Sequence, residues 1–229
     1  MATRPASNSH RACSPTWRTT RIGANDCLLT LTLPPTHTHD AVSIFGRGWC
    51  FCESSVSNLI KSWLIVLDLG KFDEESMKDW YEVTMGCVAN RDPPLTPSEF
   101  RPELATKSFT SKNADEEMVN TLFEEEFNKR MGGVTTLEYV DLKWTDKEAV
   151  AVSKVIATGV LKKLEELDLG CNQIGDAGVM ALAEAAGKGG LPQLKELHLF
   201  NMSTISKQAK DALTAALPNC EVLFEDEEN

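Results

Sequence analysis

The chain has 229 residues, of which 42% are hydrophobic and 25% charged, and its 23 basic and 34 acidic residues give a net charge of −11 at pH 7. That apolar fraction is ordinary for a globular protein and excludes a collagen-like or wholly disordered chain. The most apolar run, 59–69, contains Lys61 and Asp68, so no window reaches the ~18 uncharged residues of a membrane-spanning helix. The acidic balance argues against a general nucleic-acid binder, which needs clustered lysine and arginine.

The uneven distribution of charge divides the chain into three parts, 1–45, 46–133 and 134–229. Residues 1–48 hold five arginines against two aspartates, whereas residues 49–133 and 134–229 each hold nine basic and sixteen acidic residues. The seven cysteines are odd in number and scattered, which is typical of free thiols in a reducing compartment rather than of a secreted disulfide scaffold. We therefore expect a cytoplasmic protein with neither a membrane nor a nucleic-acid partner.

Residues 1–45 are predicted to form a disordered tail, because they hold too few apolar residues to offset the entropy of ordering them. Their acid-free start is rich in arginine, serine and threonine, but Pro5 and Pro15 interrupt both helices that an import signal would need. Two alternatives stay open. One is a targeting segment, and the other is a mispredicted exon, since a CA-type dinucleotide repeat would encode the Thr-His alternation at 36–39.

A zinc site is not predicted, although ligand types for one are present. His37, His39, Cys50 and Cys52 are residues that bind zinc in other proteins. Paired ligands in structural zinc sites are usually separated by two to four residues, whereas one residue separates each pair here. We therefore expect no metal and no cofactor.

Residues 46–133 begin with a predicted helix and strand. Apolar residues recur at helical spacing from Val56 to Trp63, and the β-branched run 64–70 indicates a buried strand. The motif Trp49-Cys50-x-x-Glu53 before that strand resembles the late helix of Toll/interleukin-1 receptor (TIR) domains. The resemblance implies that Glu53 is the catalytic carboxylate of NAD cleavage. Because residues 1–45 offer no alternating strands and helices to complete such a fold, we expect a remnant in which Glu53 is an ordinary helix carboxylate.

Three further helices are predicted in this part. Asp79-Trp80-Tyr81 belongs to a short helix, and Thr96-Pro97-Ser98-Glu99 supplies the cap, the proline and the glutamate of a second helix start. An acidic helix should run from Asp115 to Met131 and end at a glycine pair. We expect it to cover the end of the region that follows, with a core face made of Met118, Val119, Leu122, Phe123, Phe127 and Met131.

An internal repeat organises residues 134–229. The pattern Leu-x-x-Leu/Val-x-Leu starts at Leu137, Leu164 and Leu194, and Cys220-x-x-Leu223 repeats its beginning. Helices are predicted at 146–158, 176–187 and 206–217, and a last strand at 222–224. The predicted fold is therefore α/β, a short solenoid of three strand-helix units and a partial fourth, preceded by a mixed α/β or helical segment.

These repeats resemble leucine-rich repeats of the ribonuclease-inhibitor type. The central copy, 164–178, carries the signature best, with Asn172 in the turn and two glycines at the helix entry. In the first and third copies we assign the asparagine position to Thr145 and Met202. The resemblance implies a protein-binding solenoid with a leucine-filled interior.

Residues that alternate with the leucines are expected to line the concave face. The predicted columns are Tyr139, Glu166 and Glu196, then Asp141, Asp168 and His198, then Lys143, Gly170 and Phe200. This mostly acidic face should bind a basic protein partner by charge steering and aromatic anchors. The predicted binding residues are Tyr139, Asp141, Lys143, Glu166, Asp168, Glu196, His198 and Phe200.

No catalytic set is predicted, because His198 has no serine or cysteine at a strand position to activate. The leading hypothesis is therefore an interaction protein. The alternatives are a TIR-like NAD-cleaving signalling protein that uses Glu53, and a fragment of a longer receptor with no function of its own.

Overall fold

The computed structural model describes residues 46–60, 67–68, 71–87, 91–202 and 205–224, without the side chain of Asn113. The predicted tail 1–45, most of the predicted strand 64–70 and the acidic end 225–229 lie outside these residues. The described elements are α1 (Gly48–Ile60), α2 (Trp80–Gly86), α3 (Pro97–Ala105), α4 (Lys112–Gly133), β1 (Thr136–Glu138), α5 (Asp146–Ala157), β2 (Glu166–Asp168), α6 (Asp176–Gly187), β3 (Glu196–His198), α7 (Lys207–Ala216) and β4 (Glu221–Leu223). In these ranges, every helix is too short or too polar to cross a bilayer.

The helices α2 and α3 both begin with a reciprocal side-chain cap, and the one on α3 is the predicted Thr96–Glu99 cap. The Asp79 carboxylate accepts a hydrogen bond of 2.8 Å from the Glu82 N–H, and the Glu82 carboxylate accepts from the Asp79 N–H. Thr96 and Glu99 form the same reciprocal cap on α3, whose first residue is Pro97. Each cap satisfies backbone donors that a helix start leaves without partners.

The helices α1, α3 and α4 pack around stacked aromatic rings. The ring centres of Phe100 and Phe123 lie 3.7 Å apart, and those of Phe51 and Phe100 lie 5.1 Å apart. The α4 stripe at four-residue spacing is buried as predicted, and it consists of Val119, Phe123, Phe127 and Met131. The prediction is wrong for Met118 and Leu122, which are 54% and 40% exposed, because they lie about 100° around the helix from that stripe.

The four strands form one parallel sheet in the order β1-β2-β3-β4. Leu137, Leu167, Leu197 and Val222 stand side by side across it. This register corrects two predictions. The first copy of the pattern begins at Val134 instead of Leu137, so the step between the first three copies is 30 residues. In the fourth copy, Val222 and not Leu223 is aligned with the leucines.

The helices α5, α6 and α7 follow the first three strands and pack in that order, α5 on α6 and α6 on α7. Their bounds match the predicted helices to within one residue. The aligned leucines are buried with the inner residues of these helices in a core that continues into α1, α3 and α4. A parallel sheet with a helix after each of three strands fits the predicted α/β repeat.

The first half of the described chain closes the β1 end of this core. Tyr139 is fully buried in the position that Leu169 and Leu199 occupy in the next copies, and its hydroxyl donates to the Leu59 carbonyl at 3.2 Å. The Trp144 indole N–H donates to the Arg91 carbonyl at 2.8 Å. The α1–α4 region therefore covers the β1 end of the repeats, through α1 and the segment before α3.

Candidate functional site

One side of the sheet carries acidic side chains. In each strand the middle residue points into the core, and the two flanking residues point to the opposite side, which we call the open face. The register places Glu166 beside Glu196, and Asp168 beside His198. Five carboxylates occupy the open face, and they belong to Glu138, Glu166, Asp168, Glu196 and Glu221.

His198 lies between two of these carboxylates. Its Nε2 is 3.2 Å from Glu196 Oε2, and its Nδ1 is 3.6 Å from Asp168 Oδ2. The other oxygen of Asp168 accepts from the Gly170 N–H at 2.8 Å. Burial raises the pKa of Asp168, against the opposing effects of the Gly170 hydrogen bond and of His198, and the nearby Glu166 and Glu138 raise it further.

Basic side chains do not balance this negative charge. Across the described ranges, no lysine or arginine forms an ion pair with any of the five carboxylates. At the β4 end, burial together with Glu196 and Glu221 raises the pKa of the Cys220 thiol to about 11. The open face therefore carries more acidic than basic side chains, and cations are attracted to such a surface.

An aromatic ring borders the acidic surface. Phe200 follows β3 and is half-buried, with its ring lying on Gly170 so closely that a Cβ there would stand 2.5 Å from Phe200 Cζ. Its ring centre is 6.2 Å from that of His198. Gly170 is thus required for this packing, which adds an apolar contact beside the carboxylates.

The structure brings most, but not all, of the predicted binding residues together. Glu166, Asp168, Glu196, His198 and Phe200 lie on or beside the open face. The placement of Tyr139 there is wrong, because its ring fills a leucine position in the core.

Two other predicted residues lie outside the strands. Asp141 and Lys143 are exposed in the turn after β1, with positive φ angles of 53° and 58°. They are therefore not aligned with Asp168 and Gly170 as predicted.

Two acidic residues of the open face escaped the prediction. Glu138 and Glu221 were missed because the first copy was shifted by three residues and the fourth by one. A signal for the correct register is present in the helix starts, since Asp146, Asp176 and Ser206 follow one another at steps of 30 residues.

Asn172 connects the turns of neighbouring copies. Its amide oxygen accepts from the backbone N–H groups of Leu142 and Trp144, both at 3.0 Å, and its amide nitrogen donates to the Tyr139 carbonyl at 2.6 Å. In the corrected register the equivalent residue of the first copy is Leu142, not Thr145, whereas Met202 holds the position in the third copy as predicted. Thr145 instead precedes α5 and donates from its backbone N–H to Glu148.

Glu53 lies on the exposed side of α1. Only Leu67 and Asp68 of the predicted following strand are described, so the TIR resemblance and NAD cleavage stay predictions. Equal, background-level NAD turnover by wild type and Glu53→Ala would contradict the enzymatic hypothesis.

Comparison with known proteins finds a family match for one region of the chain. Residues 160–183, which span β2 and the start of α6, match the family described as Leucine Rich repeat. No curated protein matches the chain. The family match supports a leucine-rich repeat at the centre of the sheet and suggests a protein-interaction module, since such domains generally bind proteins.

Proposed function

We propose that the chain is a protein-interaction module in which a short leucine-rich repeat solenoid of the ribonuclease-inhibitor type binds a basic segment of a protein partner on its open face. The observation that carries the proposal is the set of five carboxylates on four adjacent strands, to which no lysine or arginine of the described chain is paired. A partner's cationic side chains would supply the missing counter-charges.

The two properties of the face have separate roles in binding. Uncompensated carboxylates attract a basic partner over a distance and orient it, an effect that salt weakens. Phe200 offers an apolar contact beside Glu196 and His198, of the type that contributes most of the binding energy in many interfaces. Partner binding should therefore need both the charge and the ring.

A charge-reversal experiment tests the proposal. Proteins captured by the immobilised wild-type chain are compared with those captured by Glu166→Lys/Glu196→Lys and by Glu124→Lys/Glu125→Lys. The second double variant makes the same change in net charge on the exposed side of α4. A third variant, Phe200→Ala, removes the ring alone.

We expect a basic partner to be captured by the wild type and by the α4 variant in low salt, and to be lost with Glu166→Lys/Glu196→Lys. Loss of more than about tenfold in capture corresponds to removal of more than about 1.4 kcal/mol of binding free energy. Undiminished capture of the same partner by the open-face variant would contradict the proposal, as would equal loss in both double variants.

A further inference from the structure

Three side chains of the open face come close enough to share one ion. One oxygen of Glu166, one oxygen of Glu196 and one imidazole nitrogen of His198 all lie within 4.8 Å of one another. They come from the adjacent strands β2 and β3, whose register sets Glu166 directly beside Glu196. Among the described residues, these three side chains are the set of histidine, cysteine and acidic residues whose ligand atoms converge in this way.

The spacing agrees with that of ligands around a tetrahedral ion. Ligand atoms about 2 Å from a tetrahedral zinc ion lie about 3.3 Å from one another, and His198 Nε2 is 3.2 Å from Glu196 Oε2. Glu166 has no ion-pair or hydrogen-bond partner among the described side chains that would hold it away from this point. Its carboxylate already has an oxygen within 4.8 Å of the ligand atoms of Glu196 and His198.

A second carboxylate is placed to orient the imidazole. Asp168 Oδ2 lies 3.6 Å from His198 Nδ1, the ring nitrogen opposite the one that faces Glu196. The Gly170 N–H fixes Asp168 through its other oxygen at 2.8 Å. A carboxylate behind a histidine in this way is the arrangement that sets the tautomer and orientation of metal-binding histidines.

We propose that Glu166, Glu196 and His198 form a binding site for a divalent transition-metal ion of the zinc type, with Asp168 as the positioning residue. The imidazole ligand favours zinc and related ions over calcium and magnesium, which prefer oxygen ligands alone. Three protein ligands leave a fourth position for water or for a partner's side chain. An ion bound there would also lower the repulsion among the surrounding carboxylates.

Cobalt(II) is the probe that tests this site, because its visible spectrum reports the ligand type and separates this site from the cysteine thiols. The full-length chain, stripped of metal and held reduced, is titrated with Co²⁺ alone, and Zn²⁺ is then added to displace it. The variants are His198→Gln, Glu196→Gln and Asp168→Asn. Glu138→Gln is the matched control, since it removes one charge from the same face outside the ligand set.

We expect one Co²⁺ to bind with visible ligand-field bands and without thiolate-to-cobalt charge transfer. His198→Gln and Glu196→Gln should weaken binding by at least about tenfold, and Asp168→Asn by about 10- to 100-fold with altered bands, whereas Glu138→Gln should stay within about threefold. Circular dichroism establishes that each variant is folded.

Several outcomes would overturn the proposal. The first is Co²⁺ binding that His198→Gln leaves unchanged, and the second is a spectrum that shows thiolate ligation alone. The third is Ca²⁺ binding as tight as that of Co²⁺, since this result would indicate a non-specific acidic surface. No protein partner takes part in this titration. Its failure would therefore leave the protein-binding proposal intact, and loss of partner capture would leave the metal site intact.

Discussion

Asn172 shows how much one buried polar side chain contributes to the turn between repeats. Its amide satisfies two backbone N–H groups and a carbonyl of the preceding copy, together with the Leu169 carbonyl of its own copy at 2.8 Å. Because it is only 5% exposed, water cannot replace these hydrogen bonds if the amide is removed.

We expect Asn172→Ala to lower the free energy of unfolding by more than about 2 kcal/mol, since it leaves several buried backbone groups without partners. Urea unfolding followed by circular dichroism measures the change. Gln173→Ala, at the exposed neighbouring residue, is the control and should stay within about 0.5 kcal/mol of wild type. Equal stability of the two variants would show that the amide does not support the turns.

Tyr139 makes stability depend on alkaline pH. Burial raises its pKa from 10.0 to about 12, although the Arg91 guanidinium 4.7 Å from the ring centre acts in the opposite direction. The unfolded chain therefore loses the phenol proton at lower pH than the folded chain. The stabilisation is complete below pH 10.0 and is lost as the pH rises towards about 12.

We expect the free energy of unfolding to fall by about 1 to 3 kcal/mol between pH 10 and pH 12 through this residue. The measurement is the difference in pH slope between wild type and Tyr139→Phe, which cancels the other groups that titrate there. Tyr81→Phe, at a ring that is 64% exposed, controls for the loss of a hydroxyl. If wild type and Tyr139→Phe share the same slope, Tyr139 is not buried as described.

At the scale of elements, the helix starts hold neighbouring repeats in register. The Asp146 carboxylate, at the start of α5, accepts from the N–H groups of Gly175 and Gly178 at 2.7 and 2.9 Å. Asp176, at the start of α6, accepts from the Ser206 N–H at 2.7 Å in the next copy. Each aspartate thus satisfies donors at the start of the following helix, and its negative charge is favourable there.

Asp146→Ala should lower the free energy of unfolding by about 1 to 2 kcal/mol, because it removes the acceptor for two N–H groups at the start of α6. Asp146→Asn keeps an acceptor oxygen and should recover at least half of that loss. Thermal and urea unfolding of the three proteins measure both effects. A loss that is the same for alanine and asparagine would mean that the charge, and not the hydrogen bonds, stabilises the junction.

The elements also show what the sequence could and could not predict. The starts of α3 and α7 are predictable because their caps are local: Thr96 and Ser206 each accept a hydrogen bond from their own helix. The first strand was misaligned because Leu137-x-x-Val140-x-Leu142 satisfies the apolar pattern as well as Val134-x-x-Leu137-x-Tyr139 does. The pairing of Leu137 with Leu167, together with the 30-residue step between the helix starts, excludes the first alignment.

The candidate site also contains residues that local sequence patterns predict and residues that depend on the pairing between strands. Its β2 and β3 residues were predicted from alternation along each strand, a local property. Glu138 and Glu221 required the correct pairing between strands, and the approach of Glu166, Glu196 and His198 to one point depends on side-chain placement across that pairing. Convergence across strands is a property of the folded sheet and leaves no spacing motif along the chain.

At the scale of the whole molecule, the α1–α4 region and the repeats form a single core. Besides the Tyr139 and Trp144 hydrogen bonds, the Arg91 guanidinium donates to the carbonyls of Asn58 in α1 and Glu138 in β1, at 2.6 and 3.4 Å. Lys154 of α5 also pairs with Glu99 of α3 at 2.6 Å. Three full repeats are about the minimum for a stable stack, and a stack needs its apolar end covered. The helical region should therefore be indispensable to the repeats.

A fragment of residues 134–229 is accordingly expected to lose cooperative unfolding and most of its helical circular dichroism, whereas residues 46–229 should unfold in one transition. The fragment would expose the buried ring of Tyr139 and the nearby Trp144, each of which would also lose its hydrogen-bond acceptor in the first half. Urea titrations of both fragments, followed by circular dichroism and tryptophan fluorescence, measure the difference. A cooperative transition of the 134–229 fragment at the midpoint of the longer one would show that the repeats are stable without the α1–α4 region.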